Sequence, residues 1–161
     1  FQKEKILGLY LEMEDAAPQD ASVKYGLYQI TRQFNQGAKA LDYLAQAVAL
    51  DSVYALEYLD LATIALEKER PREAIRTLEL AREQFPLNPF IKLYIADILA
   101  KISDNDSAIA QFEPLLKLTW SDLYFKGIQA SIQGRIDAVN NSPAIKDSDH
   151  TTPKKKAVVN E

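Results

Sequence analysis

Small and bulky apolar residues recur along the chain at one fixed interval. Ala40, Ala74 and Ala108 stand 34 residues apart, and Leu44, Leu78 and Phe112 follow each of them by four. Ala47, Ala81 and Leu115 follow the same alanines by seven. Offsets of this kind put all three groups on one stripe of an α-helix, so the pattern predicts the same helix face repeatedly. Another step of 34 toward the N-terminus reaches Ile6, with Tyr10 and Met13 at the matching later places, which makes a fourth copy. A second apolar pattern precedes each stripe, most clearly Tyr58, Leu61, Ala62 and Ala65, then Ile95, Ala96 and Leu99. Small residues at such places let two antiparallel helices approach closely, so the predicted unit is a short helix-turn-helix.

The punctuation keeps the same period. Pro71 suits the first turn of a helix, whereas Pro86 and Pro89 mark a break between units. Ser103, Asp104 and Asn105 supply capping chemistry ahead of the helix that contains Ala108. Pro114 lies inside that helix and is expected to bend or shorten it.

A 34-residue period of paired helices is a known repeat signature. On these residues the chain resembles the tetratricopeptide repeat family. Tyr58, Leu61, Ala62, Ala74, Leu78, Ala81 and Pro86 stand where that family places its large, apolar, small, small, large, small and proline residues. The resemblance implies an all-α fold, a right-handed α-solenoid of antiparallel helix pairs with about eight helices. The implied units are 21–54, 55–88 and 89–122, with residues 1–20 as the second helix of an earlier unit, ending at Pro18. Two departures stand out: Tyr28 occupies a place that is usually small, and the last unit has Lys92 and Trp120 where a large residue and proline are usual.

Residues 121–140 carry Tyr124, Ile128, Ile132, Ile136 and Val139 along one side and polar groups elsewhere, as a helix closing the open end of a stack would. The repeat domain is therefore expected over 1–140, followed by a flexible tail at 141–161, where proline, small polar and charged residues show no period.

Composition narrows the chemistry. The 161 residues are 47% apolar and 26% charged, an ordinary globular balance. With no cysteine, disulfides, thiolate zinc sites and cysteine nucleophiles are excluded, and the single histidine, His150, has no partner for a metal centre or triad. A net charge of −4 is the wrong sign for a protein whose main task is neutralising phosphates. No apolar run is long enough to cross a bilayer, and FQKEK at the start is no signal peptide. Opening on Phe1 suggests a processed or excised piece, and the compartment stays open between cytoplasm and periplasm. Lys154, Lys155 and Lys156 read as part of a solvated tail in preference to a membrane or acidic-partner site. Glu12, Glu14 and Asp15 read as the wet side of a helix. Asn105-Asp106-Ser107 and Asn140-Asn141-Ser142 match a glycosylation pattern too short to carry weight. Nucleotide, metalloprotease and hydrolase motifs are absent, so no catalysis and no cofactor is expected.

What the resemblance implies for function is a groove lined by the first helix of each unit. Its places fall on Tyr25, Gln29, Arg32 and Gln33, then Leu59, Asp60, Thr63 and Glu67, then Phe90, Leu93, Tyr94, Asp97 and Lys101. Aromatic and apolar groups there would bury a peptide's side chains, and Gln29 and Thr63 would pair with its backbone. Leu59 and Leu93 serve equally well in helix packing. Asp60 and Asp97 would repel a C-terminal carboxylate, so the tail-receptor mode of some family members is disfavoured. The leading expectation is a protein-binding module. Its rivals are a structural, accessory or self-assembling role through the truncated N-terminal end, and RNA recognition, against which the acidic balance and the 34-residue spacing count.

Overall fold

The computed structural model describes residues 1–142; the expected tail beyond them, with His150 and the three lysines, lies outside the described residues. Eight α-helices occur among those residues: α1 Gln2–Ala16, α2 Ala21–Gln33, α3 Gly37–Leu50, α4 Glu57–Glu67, α5 Pro71–Gln84, α6 Pro89–Lys101, α7 Asn105–Leu116 and α8 Ile128–Asn140. A 3-10 turn, Ser52–Leu56, leads into α4. No strand occurs among the described residues. The chain is an α-solenoid: α2 packs on α3, α4 on α5 and α6 on α7, with α1 against α2 and α8 against α7.

The recurring stripe is the core. Ala40, Ala74 and Ala108, Leu44, Leu78 and Phe112, and Ala47, Ala81 and Leu115 are all buried, as are Tyr58, Ala62, Ile95 and Ala96 facing them. Each bulky member contributes about 1.5–3 kcal/mol by leaving water. Methyl side chains between them set how near the paired axes come.

The backbone repeats as well. Asn35, Glu69 and Ser103, each 34 residues from the next, all adopt left-handed φ, at 57°, 56° and 62°. Each is the turn residue of a Schellman motif: Gln36, Arg70 and Asp104 donate their N–H to the carbonyls of Thr31, Ala65 and Leu99, six-residue closures of 3.2, 2.8 and 2.9 Å. This corrects the capping expected at 103–105. Ser103 closes α6 instead of starting α7, and Asp104 stands at the N-cap without a side-chain cap bond. Its carboxylate instead faces Arg72 of the preceding unit at 3.7 Å. Side-chain caps do start α2 and α6, where Asp20 accepts from Ser22 and Val23 and Asn88 accepts from Phe90. Pro71 and Pro89 fill first-turn positions.

Three further features depart from a uniform array. The second unit opens with the 3-10 turn that buries Ala55, leaving α4 only 11 residues long. Pro114 sits near the end of α7, which has 12 residues against 14 in α3 and α5. The closing helix begins at Ile128 and not at Ser121, because Gly127 takes φ 81° and the segment before it folds into turns that leave Tyr124 exposed. From Ile128 onward α8 buries Ile132, Ile136 and Val139 as a closing helix must.

At the other end α1 is held by close approach. A Cβ on Gly26 would lie 2.0 Å from Tyr10 Cε1, so glycine in α2 is what admits the Tyr10 ring. Lys24, buried in α2, donates to Glu14 of α1 at 2.5 Å, an ion pair that ties the two helices across otherwise apolar contact.

Two outcomes follow from these contacts. Ala74→Leu overfills the α4–α5 contact and lowers unfolding free energy by about 1–3 kcal/mol in urea melts, whereas Ala45→Leu on the exposed side of α3 changes it by less than about 0.5 kcal/mol. Glu69→Gly relieves a left-handed residue with a side chain and raises stability by about 0.5–1 kcal/mol in the same assay.

Candidate functional site

The first helices α2, α4 and α6 stand in sequence along the array, and α8 adds a fourth member after α6. The anticipated groove residues lie on these helices, and their surroundings divide them into three groups.

Over the first unit the polar groups are already bound to one another. Glu57, at the start of α4, accepts hydrogen bonds from the Tyr28 hydroxyl at 2.7 Å, the Tyr25 hydroxyl at 3.0 Å and Arg32 Nη1 at 3.3 Å. Arg32 also donates to the Tyr28 oxygen at 2.8 Å, and the Tyr25 ring stacks on Tyr54 with centroids 4.7 Å apart. Tyr28, the large residue at a usually small place, is fully buried yet sends its hydroxyl across to the next unit. Burial, the hydrogen bond to Glu57 and the charge of that carboxylate push the Tyr28 hydroxyl's pKa far above the ordinary 10.0. Tyr25 shifts the same way for the same causes. Gln29 and Gln33 remain exposed beside this network.

Along α4 the candidates face solvent. Asp60, Thr63 and Glu67 are exposed, and Leu59 is half-buried against the core. Thr63 donates its hydroxyl to the Leu59 carbonyl at 3.1 Å, which leaves the oxygen free to accept.

The third group surrounds a depression. Tyr94, Asp97 and Lys101 of α6 meet Arg135 and Val139 of α8 around a cavity of about 510 Å³. Asp97 is not a free acid there: Arg135 Nε donates to it at 2.9 Å. Its repulsion of a carboxylate is thereby offset, and Asp60 is left as the acid that would oppose one. Leu93 is buried and serves packing. Phe90 is half-exposed at the edge of an aromatic cluster with Trp120 and Phe125, centroids 5.7 and 5.3 Å away, and Trp120 Nε1 donates to the Leu115 carbonyl at 3.0 Å.

Sequence reasoning missed Glu57, Arg135 and the Trp120–Phe125 pair. Glu57 carried one signal, since a tyrosine forced into a small position needs a partner for its hydroxyl when buried. Arg135 and Asp97 are 38 residues apart, and nothing local links them.

No family model matches the chain. Tetratricopeptide repeat protein 7A of Homo sapiens is 30% identical over 89 residues, which is 55% of this chain; the chain spans about a tenth (10%) of that relative's length. The solved structure of MamA protein aligns over 86% of this chain and 78% of its own, with 16% identity and a TM-score of 0.45. In its 34-residue pattern, its helical repeats and this sequence match, the chain resembles tetratricopeptide repeat proteins.

The Glu57 network makes a measurable claim. Unfolded tyrosine ionises near pH 10, while folded Tyr28 resists, so its share of stability is complete below about pH 10 and drains away as pH rises further. Tyr28→Phe lowers stability by about 2 kcal/mol at pH 7 in urea melts and removes about 1 kcal/mol per pH unit of the alkaline decline above pH 10. An unchanged alkaline slope contradicts the assignment.

Proposed function

We propose that this chain is a non-catalytic protein-binding module that holds an extended segment or helix of a partner protein along α2, α4 and α6. The observation that carries the reading is the contrast between two sets of residues at corresponding places. The apolar stripes are spent entirely on the core, whereas Phe90, Tyr94, Asp60, Thr63, Glu67 and Lys101 keep exposed surface that packing does not require. Half-exposed aromatic rings beside a depression of about 510 Å³ offer anchor sites for apolar side chains.

Charge sharpens the reading. Arg32 and Arg135 are paired with Glu57 and Asp97, so they neutralise their own surroundings. Asp60 and Glu67, exposed along α4, make no ion pair among the described residues, and Lys101 stands alone beside the depression. The segment that fits carries a basic residue over α4 and an apolar or aromatic residue, flanked by an acid, over α6.

Selection of peptides from a random library on the immobilised chain tests this. Peptides so obtained should lose at least about tenfold in affinity for Tyr94→Ala and for Glu67→Lys by fluorescence anisotropy, yet bind Leu80→Ala, on the second-helix side, within about twofold. Undiminished binding by the first two variants transfers the interaction to the outer surface.

A further inference from the structure

The repeat arithmetic singles out one helix face that nothing covers. In the complete units the stripe of the second helix is buried under the first helix of the same unit. On α1 the corresponding stripe runs through Ile6, Tyr10 and Met13, and no antiparallel helix lies over it among the described residues. Tyr10 is partly covered because its ring turns onto Gly26 of α2. Ile6, Leu9 and Met13 are 43%, 59% and 49% exposed, against 0–2% at the matching places of α3, α5 and α7 for the stripe residues. α1 uses its other side, Leu7, Tyr10 and Glu14, to hold α2.

The exposed residues have the spacing of a pairing seam. Gln2, Ile6, Leu9, Met13 and Ala16 alternate steps of four and three, which keeps one stripe toward a neighbouring helix. Beside this seam, on the edge turned away from α2, lie Lys5 and Glu12, seven residues apart and both exposed. Neither makes an ion pair among the described residues. The helix is polar along its length, with Lys3 and Lys5 in its first half and Glu12, Glu14 and Asp15 in its second.

That polarity selects the occupant. A second α1 laid parallel would set lysine beside lysine and glutamate beside glutamate. Laid antiparallel about a twofold axis at Leu9, it sets Lys5 of each copy against Glu12 of the other, with Ile6 and Met13 interleaving on both sides. We propose that this face is a self-association surface on which two copies of the chain pair through α1, antiparallel and twofold symmetric. The twofold makes the contact self-complementary and closed. A single helix stripe is small beside a standard interface, so the dimer is weak and concentration-dependent. The inference is independent of the groove reading, because α1 contributes nothing to that groove.

Sedimentation equilibrium of the 161-residue chain between about 10 µM and 1 mM tests it. The expected result is a monomer–dimer equilibrium. Leu9→Glu, which places two carboxylates on the axis, weakens it at least about 100-fold. Lys5→Glu and Glu12→Lys each weaken it about 10-fold, and the double variant recovers to within about threefold of the unmodified chain. Circular dichroism melts confirm that the surface variants stay folded. A monomer at every concentration, an open-ended series of oligomers, a dimer indifferent to Leu9→Glu, or a double swap that restores nothing would overturn the proposal.

Discussion

Everything in this array depends on how near two helix axes can come where a methyl group is all that separates them. Ala40, Ala74 and Ala108, together with Ala62 and Ala96 on the facing helices, fix that distance, and the leucines and Phe112 beside them fill the volume so defined. Because each such contact joins helices adjacent in sequence, most of the core is local. The stack therefore grows by adding similar units, and departures such as the 3-10 turn before α4 or the proline in α7 stay confined to their own unit.

The apolar periodicity was legible because burial acts on residue type directly, and any chain that folds this way must show it. Turn geometry was less so. Asn35 is a usual left-handed residue, but Glu69 and Ser103 are not, and they adopt the conformation because the helices on either side leave no other route. The same holds for Gly127, whose effect on the closing helix was hidden by the apolar spacing of Tyr124 and Ile128 across it. Of the candidate site, exposure at Asp60, Thr63, Glu67 and Tyr94 follows from their offset from the stripes. The ties of Glu57 and Arg135 do not, since pairs separated by 25 to 38 residues leave no trace in local pattern.

Those ties change what each unit offers. Over the first unit, Tyr25, Tyr28, Arg32 and Glu57 form a preorganised polar cluster bridging two repeats, which stiffens their relative angle at the expense of free donors. Over the third, the Asp97–Arg135 pair brings the closing helix into the wall of the depression, so α8 both seals the core and completes the surface beside Tyr94. Recognition is consequently left to the middle and last units.

The two ends of the rod are chemically unlike. Ile132, Ile136 and Val139 turn inward and present only wet side chains beyond them, while Ile6, Leu9 and Met13 at the opposite end stay bare. Head-to-tail polymerisation needs a sticky surface at both extremities, and here one is missing. The molecule is thus barred from running on into filaments by its own terminal helix, a protection against runaway aggregation that a simple string of identical repeats would lack.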